Sequence, residues 1–238
     1  MHHFRVLTFD CYGTLIDWES GLFAALQPLL TRAGVTLPRD AVLATFAEHE
    51  SRQEAATPTM RYSELLCDVH AQLARSWCVA PVAAESQAFG ASVGDWPAFG
   101  DTAAALQYLG QHYKLVILSN VDRASFAATL PRLGVTFDAV FTAEDIGSYK
   151  PDPRNFAYLI EHLAAMGLAR GDILHNAQSL FHDHAPANAA GLASAWIDRR
   201  QDAQGWGATS APPPDVRYDF RFASMAEMAQ AHQALTHG

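Results

Sequence analysis

The length, composition and charge of this chain limit what it can be. Its 238 residues are 50% hydrophobic and 17% charged, enough apolar material for one or two compact domains. The 16 Lys and Arg residues are outnumbered by 25 Asp and Glu residues. The formal charge of −9 removes the electrostatic basis for non-specific binding to nucleic acid or to an anionic membrane. We therefore expect a small-molecule partner and a monomer or homodimer.

The cysteines and the N-terminus indicate where the protein works. Cys11, Cys67 and Cys78 are odd in number and form neither a CxxC pair nor a disulfide framework, which is typical of a reducing compartment. Residues 1–9 hold no secretory core, and no apolar run reaches the ~18 residues of a membrane span. We expect a cytoplasmic protein with no membrane partner.

Strand-like and helix-like segments alternate through most of the chain, which predicts βαβ units and a parallel α/β sheet covered on both faces. The apolar, β-forming runs are residues 4–10, 114–120, 137–143, 172–178 and 193–199, with a short strand in 218–222. Helical patterns begin near residues 101, 122, 153, 184 and 224.

Residues 19–96 break this alternation. Their apolar residues recur at helical spacing over four segments with no convincing strand between them, and the VGDWP stretch (residues 93–97) brings the chain back to the sheet. We expect an α/β core domain made of residues 1–18 and 97–238, and a helical domain made of residues 19–96.

Polar side chains follow the ends of several predicted strands. Parallel sheets bind their ligands at the carboxyl ends of the strands, so these side chains are expected to meet. They are Asp10, Thr14, Ser119, Asn120, Lys150, Ser179 and Asp183.

The order of four motifs, DCYGT (residues 10–14), LSN (118–120), YKPDP (149–153) and QSLFHDHAPANAAG (178–191), resembles that of the haloacid dehalogenase (HAD) superfamily. The helical insertion resembles its C1-type cap, so the resemblance implies a Rossmann-like core with a helical C1-type cap domain. The DCYGTLID opening and YKPDP look like the type II 2-haloacid dehalogenases. In that branch an aspartate attacks the substrate and water hydrolyses the resulting covalent ester. The resemblance therefore implies hydrolytic cleavage of the carbon–halogen bond of a small haloacid, so the expected substrate is a small organic acid.

The resemblance and the chemistry assign catalytic roles to four residues. Asp10 is the expected nucleophile, because a partly desolvated carboxylate can attack an electrophilic carbon or phosphorus. Lys150 would keep Asp10 ionised, and Thr14 would orient it. Asp183 would orient the hydrolytic water or hold Lys150.

Other residues are expected to bind substrate. Ser119 and Asn120 would donate hydrogen bonds to a carboxylate or phosphate, and the helix from Asp122 would add its positive end. Arg61 and Tyr62 are the candidates on the inner face of the insertion. The remaining candidates are Tyr12, Gln178 and Ser179.

Departures from the family pattern bear on the reaction. HAD phosphatases carry a second aspartate two residues after the nucleophile, where this chain has Tyr12, and an acidic residue where it has Gln178. A halide leaves without a proton, so these changes favour displacement at carbon with no metal or other cofactor.

Other departures weigh against an efficient haloacid dehalogenase. The family's cap arginine is missing from its register, where Ala47 and Glu48 stand, and Phe156 and Leu180 replace a tyrosine and an asparagine.

Two alternatives stay open. One is a phosphatase of small organic phosphates, with Mg²⁺ held loosely by Asp10, the Tyr12 carbonyl and Asp183. The other is a non-catalytic binding protein of the same fold. A metal centre built on His182 and His184 is not expected, because adjacent side chains point in different directions.

Overall fold

A computed structural model describes residues 1–201 and 205–236. Its centre is a six-stranded sheet in which every neighbouring pair of strands is parallel, which confirms the predicted fold class. The strand order is β3-β2-β1-β4-β5-β6. The strands are β1 (Val6–Phe9), β2 (Lys114–Ser119), β3 (Ala139–Thr142), β4 (Ile173–Ala177), β5 (Ala193–Ile197) and β6 (Phe220–Phe222).

Helices precede and follow these strands, as the periodicity predicts. They are α1 (Trp18–Ala33), α2 (Arg39–Ala56), α3 (Tyr62–Ser76), α4 (Ala83–Ala91), α5 (Thr102–Leu109), α6 (Arg123–Thr129), α7 (Ala143–Ile146), α8 (Pro153–Ala165), α9 (Ala185–Ala189) and α10 (Met225–Thr236). Within the described ranges, no helix combines the length and the apolar character that crossing a bilayer requires.

Alternation along β1 divides the core between the two faces of the sheet. Val6 packs with Phe156 and Leu159 of α8 on one face. Leu7 and Phe9 belong to a second cluster on the opposite face. Both faces of the central strand are therefore buried, as expected for a parallel sheet with helices on both sides.

The helical insertion shares a core with the sheet. The buried cluster that contains Leu7 and Phe9 continues into Leu22 of α1, Phe46 of α2 and Leu65 of α3. The insertion leaves the sheet directly after β1 and returns before β2, so α2 and α3 lie over the carboxyl ends of the central strands. The division into two domains at residues 19 and 96 stays a prediction.

Candidate active site

A small cavity lies at the carboxyl ends of β1, β2 and β4, with the insertion as its other wall. From the sheet side it is lined by Asp10, Tyr12, Ser119, Asn120, Val121, Lys150, Gln178, Ser179, His182 and Asp183. From the other side it is lined by Trp18, Glu50, Glu54, Tyr62 and Thr209. The open volume is about 50 Å³, and one water-sized sphere takes about 10–15 Å³, so the space suits a molecule of a few non-hydrogen atoms.

Lys150 is at the centre of the site and is 1% exposed. Its Nζ donates to Asp10 Oδ1 at 2.9 Å, to Asp183 Oδ1 at 2.6 Å and to the Leu118 carbonyl at 2.9 Å. Burial lowers the pKa of Lys150, but the two carboxylates outweigh it and hold that pKa above its ordinary value. All three protons of the ammonium group therefore have acceptors, and the lysine stays charged.

Both oxygens of Asp10 are held in place. While Oδ1 accepts from Lys150, Oδ2 accepts from the Thr14 hydroxyl at 2.8 Å. Thr14 Oγ1 in turn accepts from the backbone N–H of Gln178 at 2.9 Å, which links the loop after β1 to the loop after β4. Burial raises the pKa of Asp10, and Lys150 and Thr14 act against that rise. A buried, oriented carboxylate of this kind has the geometry of a nucleophile.

Asp183 lies in a π-helical turn (Leu180–His184) after β4. Burial disfavours its ionised form, but Lys150 and a 3.0 Å contact with His175 Nε2 outweigh it and lower the pKa of Asp183. His175 Nδ1 is 2.9 Å from Thr8 Oγ1. Asp183 Oδ2 is buried and has no hydrogen-bond partner among the described residues, so one oxygen remains available to a water or a substrate.

His175 was missed at the sequence level, and its place in β4 offers only a weak signal. A histidine inside an otherwise apolar strand is usually a satisfied core residue. Here its Nε2 contacts Asp183 Oδ1 and helps to hold that carboxylate in position.

Of Ser119 and Asn120, the two expected hydrogen-bond donors to substrate, only Ser119 has a side chain without a partner among the described residues. Its Oγ is buried, has no partner within the described part of the chain, and borders the cavity. Asn120 binds the backbone of Lys150 instead: Oδ1 accepts from the Lys150 N–H at 2.6 Å and Nδ2 donates to the Lys150 carbonyl at 3.0 Å. Ser179 Oγ accepts from the His182 N–H at 3.0 Å, as a cap of its turn.

The start of α6, which was expected to add its positive end at the substrate, is capped by a carboxylate of its own. Asp122 caps this helix with Oδ1, which accepts from the Ser125 N–H at 2.8 Å. Its Oδ2 accepts from the Ser63 N–H of the insertion at 2.9 Å. The pKa of Asp122 lies below its usual range, because these hydrogen bonds outweigh the effect of burial. The helix end is thus neutralised by its own cap.

Tyr12 and Gln178 border the cavity as expected. The Tyr12 hydroxyl is paired with Thr129 Oγ1 at 2.8 Å, and its ring stands edge-on to Trp96 at 5.7 Å. Burial raises the pKa of Tyr12 well above its usual value. Tyr12 is therefore a neutral side chain at the cavity, and its hydroxyl is paired with α6.

Arg61 does not reach the cavity, so the prediction that it contacts substrate is not supported. Its side chain is 62% exposed, and its Nε is 3.1 Å from Glu144 Oε1 on the surface. Tyr62, the other candidate from the insertion, does line the cavity. Its hydroxyl donates to Glu50 Oε1 at 2.6 Å.

Glu50 and Glu54 were not predicted, and they are the charged groups that α2 turns toward the site. They are 6% and 9% exposed. Burial raises the pKa of Glu50 to about 7 and, together with the charge of Glu50, raises that of Glu54 well above its usual value. Their positions continue the i, i+3, i+4 series of the buried Leu43, Phe46 and Ala47, a periodicity that could have placed them on the inner face.

The residues present do not match a magnesium site well. Asp10 and Asp183 turn their Oδ1 atoms to the ammonium group of Lys150, and Gln178 supplies a neutral amide where a third carboxylate would be needed. Across residues 1–201 and 205–236, no three His, Cys, Asp or Glu side chains form a group able to hold a metal ion.

The two histidines beside Asp183 also point apart. His184 Nδ1 is 2.9 Å from Ser194 Oγ and its Nε2 is 3.0 Å from the Ala177 carbonyl, whereas His182 contacts Ser179. Burial lowers the pKa of each to about 4. Both side chains are therefore neutral at pH 7.

A parallel α/β sheet whose central strand ends in an aspartate, paired with a lysine and a second aspartate, is the arrangement that the four sequence motifs predict for a hydrolase of the haloacid dehalogenase type. A family model described as haloacid dehalogenase-like hydrolase matches residues 4–180. The chain belongs to this family of hydrolases. No curated protein sequence matches it significantly.

Solved L-2-haloacid dehalogenases share the fold over nearly the whole chain. A defluorinating L-2-haloacid dehalogenase superposes with a TM-score of 0.79 at 19% identity, covering 97% of this chain and 95% of that chain. A second L-2-haloacid dehalogenase gives 0.76 at 23%, covering 97% and 99%. The enzyme from Xanthobacter autotrophicus with chloropropionic acid covalently bound gives 0.78 at 16%, covering 98% and 99%.

Proposed function

We propose that this hydrolase cleaves a carbon–halogen bond, or a bond to a similar anionic leaving group, through a covalent ester on Asp10. A carboxylate oxygen of Asp10 attacks the carbon, and the leaving group departs with the bonding electron pair. Water then hydrolyses the ester, so that R–X and H₂O become R–OH, X⁻ and H⁺. This reaction resembles that of the 2-haloacid dehalogenases, for which a small haloacid is the substrate.

One observation carries this proposal: Asp10 has both oxygens positioned by Lys150 and Thr14 at the wall of a cavity. Orientation of a nucleophile lowers the barrier because the entropy of bringing the groups together is lost on folding and binding rather than in the reaction. The buried ammonium group of Lys150 also stabilises negative charge on the carboxyl oxygens as it redistributes.

Displacement at carbon is favoured because the two positions at which HAD phosphatases carry acidic residues, here Tyr12 and Gln178, offer the leaving group no carboxyl group. The hydroxyl of Tyr12 is paired with Thr129, and Gln178 carries an amide. An alkoxide leaving group needs a proton, whereas a halide does not.

Hydrolysis of the ester needs a water near Asp10 and a group to orient it. Asp183 Oδ2 is the unpartnered carboxylate oxygen on this side of the cavity. We assign it to the water, with the proton passing through Asp183 to solvent. Because the pKa of Asp183 is low, it orients and relays rather than keeping the proton.

A panel of small substrates tests the proposal. It should contain 2-haloacids, fluoroacetate, haloalkylamines and phosphate esters, each assayed with EDTA and with added Mg²⁺. We expect halide release that survives EDTA, and a loss of about 10³-fold or more in Asp10→Asn, since removal of a covalent nucleophile leaves only binding and electrostatic effects.

A matched control is Asp95→Asn, which changes a carboxylate whose side chain is 89% exposed, and it should retain wild-type turnover. Phosphate release that requires Mg²⁺ would instead identify a phosphatase. Asp10→Asn activity within tenfold of wild type, or no turnover of any substrate, would overturn the proposal.

A further inference from the structure

The charges around the cavity are unbalanced. Asp10, Asp183, Glu50 and Glu54 all border it, and Lys150 is the one cationic side chain among its described lining residues. That ammonium group already binds Asp10 and Asp183. No arginine of the described ranges borders the cavity, so within those ranges no further cation faces the two glutamates of α2.

Glu54 is the less satisfied of the two glutamates. Within the described residues its one hydrogen bond comes from Asn120 Nδ2 at 3.5 Å, a weak contact. Neither Glu50 nor Glu54 has an ion-pair partner among those residues, and Glu50 accepts from Tyr62 alone. A buried carboxyl group without such partners favours its protonated form, and a cation bound beside it would favour its ionised form.

Ser119 supplies an independent indication of a ligand. Its hydroxyl is in a residue 2% exposed, has no hydrogen-bond partner in the described structure, and borders the same cavity. Buried polar groups nearly always find a partner, so a ligand or a bound water is expected to contact this oxygen.

We propose that the cavity takes a substrate carrying a protonated amine, and that Glu54 and Glu50 bind this ammonium group. The assignment of a substrate rests on the proposed function, whereas the binding itself does not depend on the reaction. An ammonium ion has three N–H donors and a positive charge, which fit two carboxylates and a hydroxyl acceptor. The electrophilic carbon then lies toward Asp10, within the space for a few non-hydrogen atoms.

A substrate carboxylate fits the same wall poorly. Once the glutamates ionise, it would bring a further negative charge into a buried space that already contains four carboxylates, and like charges at short range repel strongly there. It would be bound only where a protonated glutamate donates a hydrogen bond to it. Haloacids are therefore expected to be weaker ligands here than haloalkylamines of the same size.

The two modes of binding respond to pH in opposite directions. Since burial raises the pKa of Glu50 to about 7, an ammonium ligand should bind more tightly as pH rises and the glutamates ionise. A carboxylate held by a protonated glutamate should bind more tightly as pH falls. The other titratable groups around the glutamates are Tyr62, Tyr149, Lys150, His182, Asp10 and Asp183.

Calorimetry with two unreactive ions of equal size tests the proposal. The probes are n-propylammonium and propionate, titrated into the folded protein at pH 6 and pH 8 in a buffer free of amines. We expect n-propylammonium to bind at least tenfold more tightly than propionate at pH 8, and to bind less tightly at pH 6.

Three variants complete the experiment. Glu54→Gln should weaken n-propylammonium binding at least tenfold, and Glu50→Gln should weaken it too. Glu48→Gln, an exposed position on the same helix, should not change it. Circular dichroism confirms folding, and Glu50→Gln serves if Glu54→Gln fails to fold.

Tighter binding of propionate, no binding of n-propylammonium, or equal binding by wild type and the two inner-face variants would overturn the proposal. Ammonium binding that survives alongside a failure of Asp10-dependent turnover would overturn the proposed reaction alone.

Discussion

Lys150 is one of two lysines in the chain, and the two occupy opposite environments. Lys150 is buried between Asp10 and Asp183, whereas the side chain of Lys114 is 45% exposed and pairs with Asp138. Removing one partner of a buried ion pair leaves the others charged and unsolvated. The environment, rather than the residue type, therefore decides what each lysine contributes.

Lys150→Met should lower the free energy of unfolding by about 3–5 kcal/mol, because it leaves two buried carboxylates without their cation. Urea unfolding at pH 7 measures this loss. In the matched variant Lys114→Met the loss should stay within about 1 kcal/mol, as for exposed ion pairs. Equal losses in the two variants would show that the carboxylates of the site do not depend on Lys150.

The sequence predicts the positions of some site residues but not of others. Asp10, Thr14, Lys150 and Asp183 meet as predicted, since their places at strand ends follow from the parallel sheet. The prediction for Arg61 rests on its positive charge and its place in the insertion. Arg61 directly precedes α3, where its side chain can turn toward solvent. The sequence does not reveal that Glu144, more than 80 residues away along the chain, forms an ion pair with it.

Helix α2 contributes two acidic side chains to the lining of the cavity. Its buried side chains run from Val42 through Phe46 to Glu50 and Glu54. The helix therefore changes from an apolar to an acidic inner face as it passes over the strand ends. Helical periodicity places these glutamates on the inner face. However, glutamates are rarely buried, so a sequence alone favours solvent-exposed positions for Glu50 and Glu54.

Glu50→Gln should make stability less dependent on pH. In the folded protein the pKa of Glu50 is about 7 against an ordinary value of 4.5, so between these pH values the folded state holds the proton more tightly than the unfolded state. Its contribution is therefore present at low pH and is lost as pH rises toward 7. Glutamine avoids this loss and keeps an oxygen to accept from Tyr62.

Urea unfolding of wild type and Glu50→Gln at pH 5 and pH 8 measures the effect. The variant should gain on wild type by on the order of 1–3 kcal/mol between the two pH values. Glu48→Gln is the control, because its side chain is 65% exposed. A Glu50→Gln difference that stays constant with pH would contradict the burial of an ionisable group at this position.

For the whole molecule, the order of strands and helices was predictable because each segment carries its own periodicity and end signals. The six strands and the four inserted helices lie where the patterns indicate. How the insertion packs on the sheet could not be predicted in this way, because that boundary is formed by contacts between segments that are distant in the sequence. Trp18 and Trp96 meet there with ring centroids 6.4 Å apart.

The shared core predicts that the insertion and the sheet unfold together. Buried apolar contacts run without a break from β1 into α1, α2 and α3, so the core of the insertion is continuous with the core on one face of the sheet. Unfolding in urea should give the same midpoint by far-ultraviolet circular dichroism and by tryptophan fluorescence. Two separate transitions would show that residues 19–96 form an independently stable domain.

The proposed reaction requires Asp10 to form a covalent ester with the substrate. A single turnover in H₂¹⁸O, with enzyme in excess over a substrate that the panel identifies, tests this directly by mass spectrometry of the peptide that contains Asp10. Water attacks the carboxyl carbon of the ester, so ¹⁸O should appear in Asp10 while the alcohol product carries ¹⁶O. The label appearing in the product, with Asp10 unlabelled, would show that water attacks the substrate directly and would contradict the mechanism.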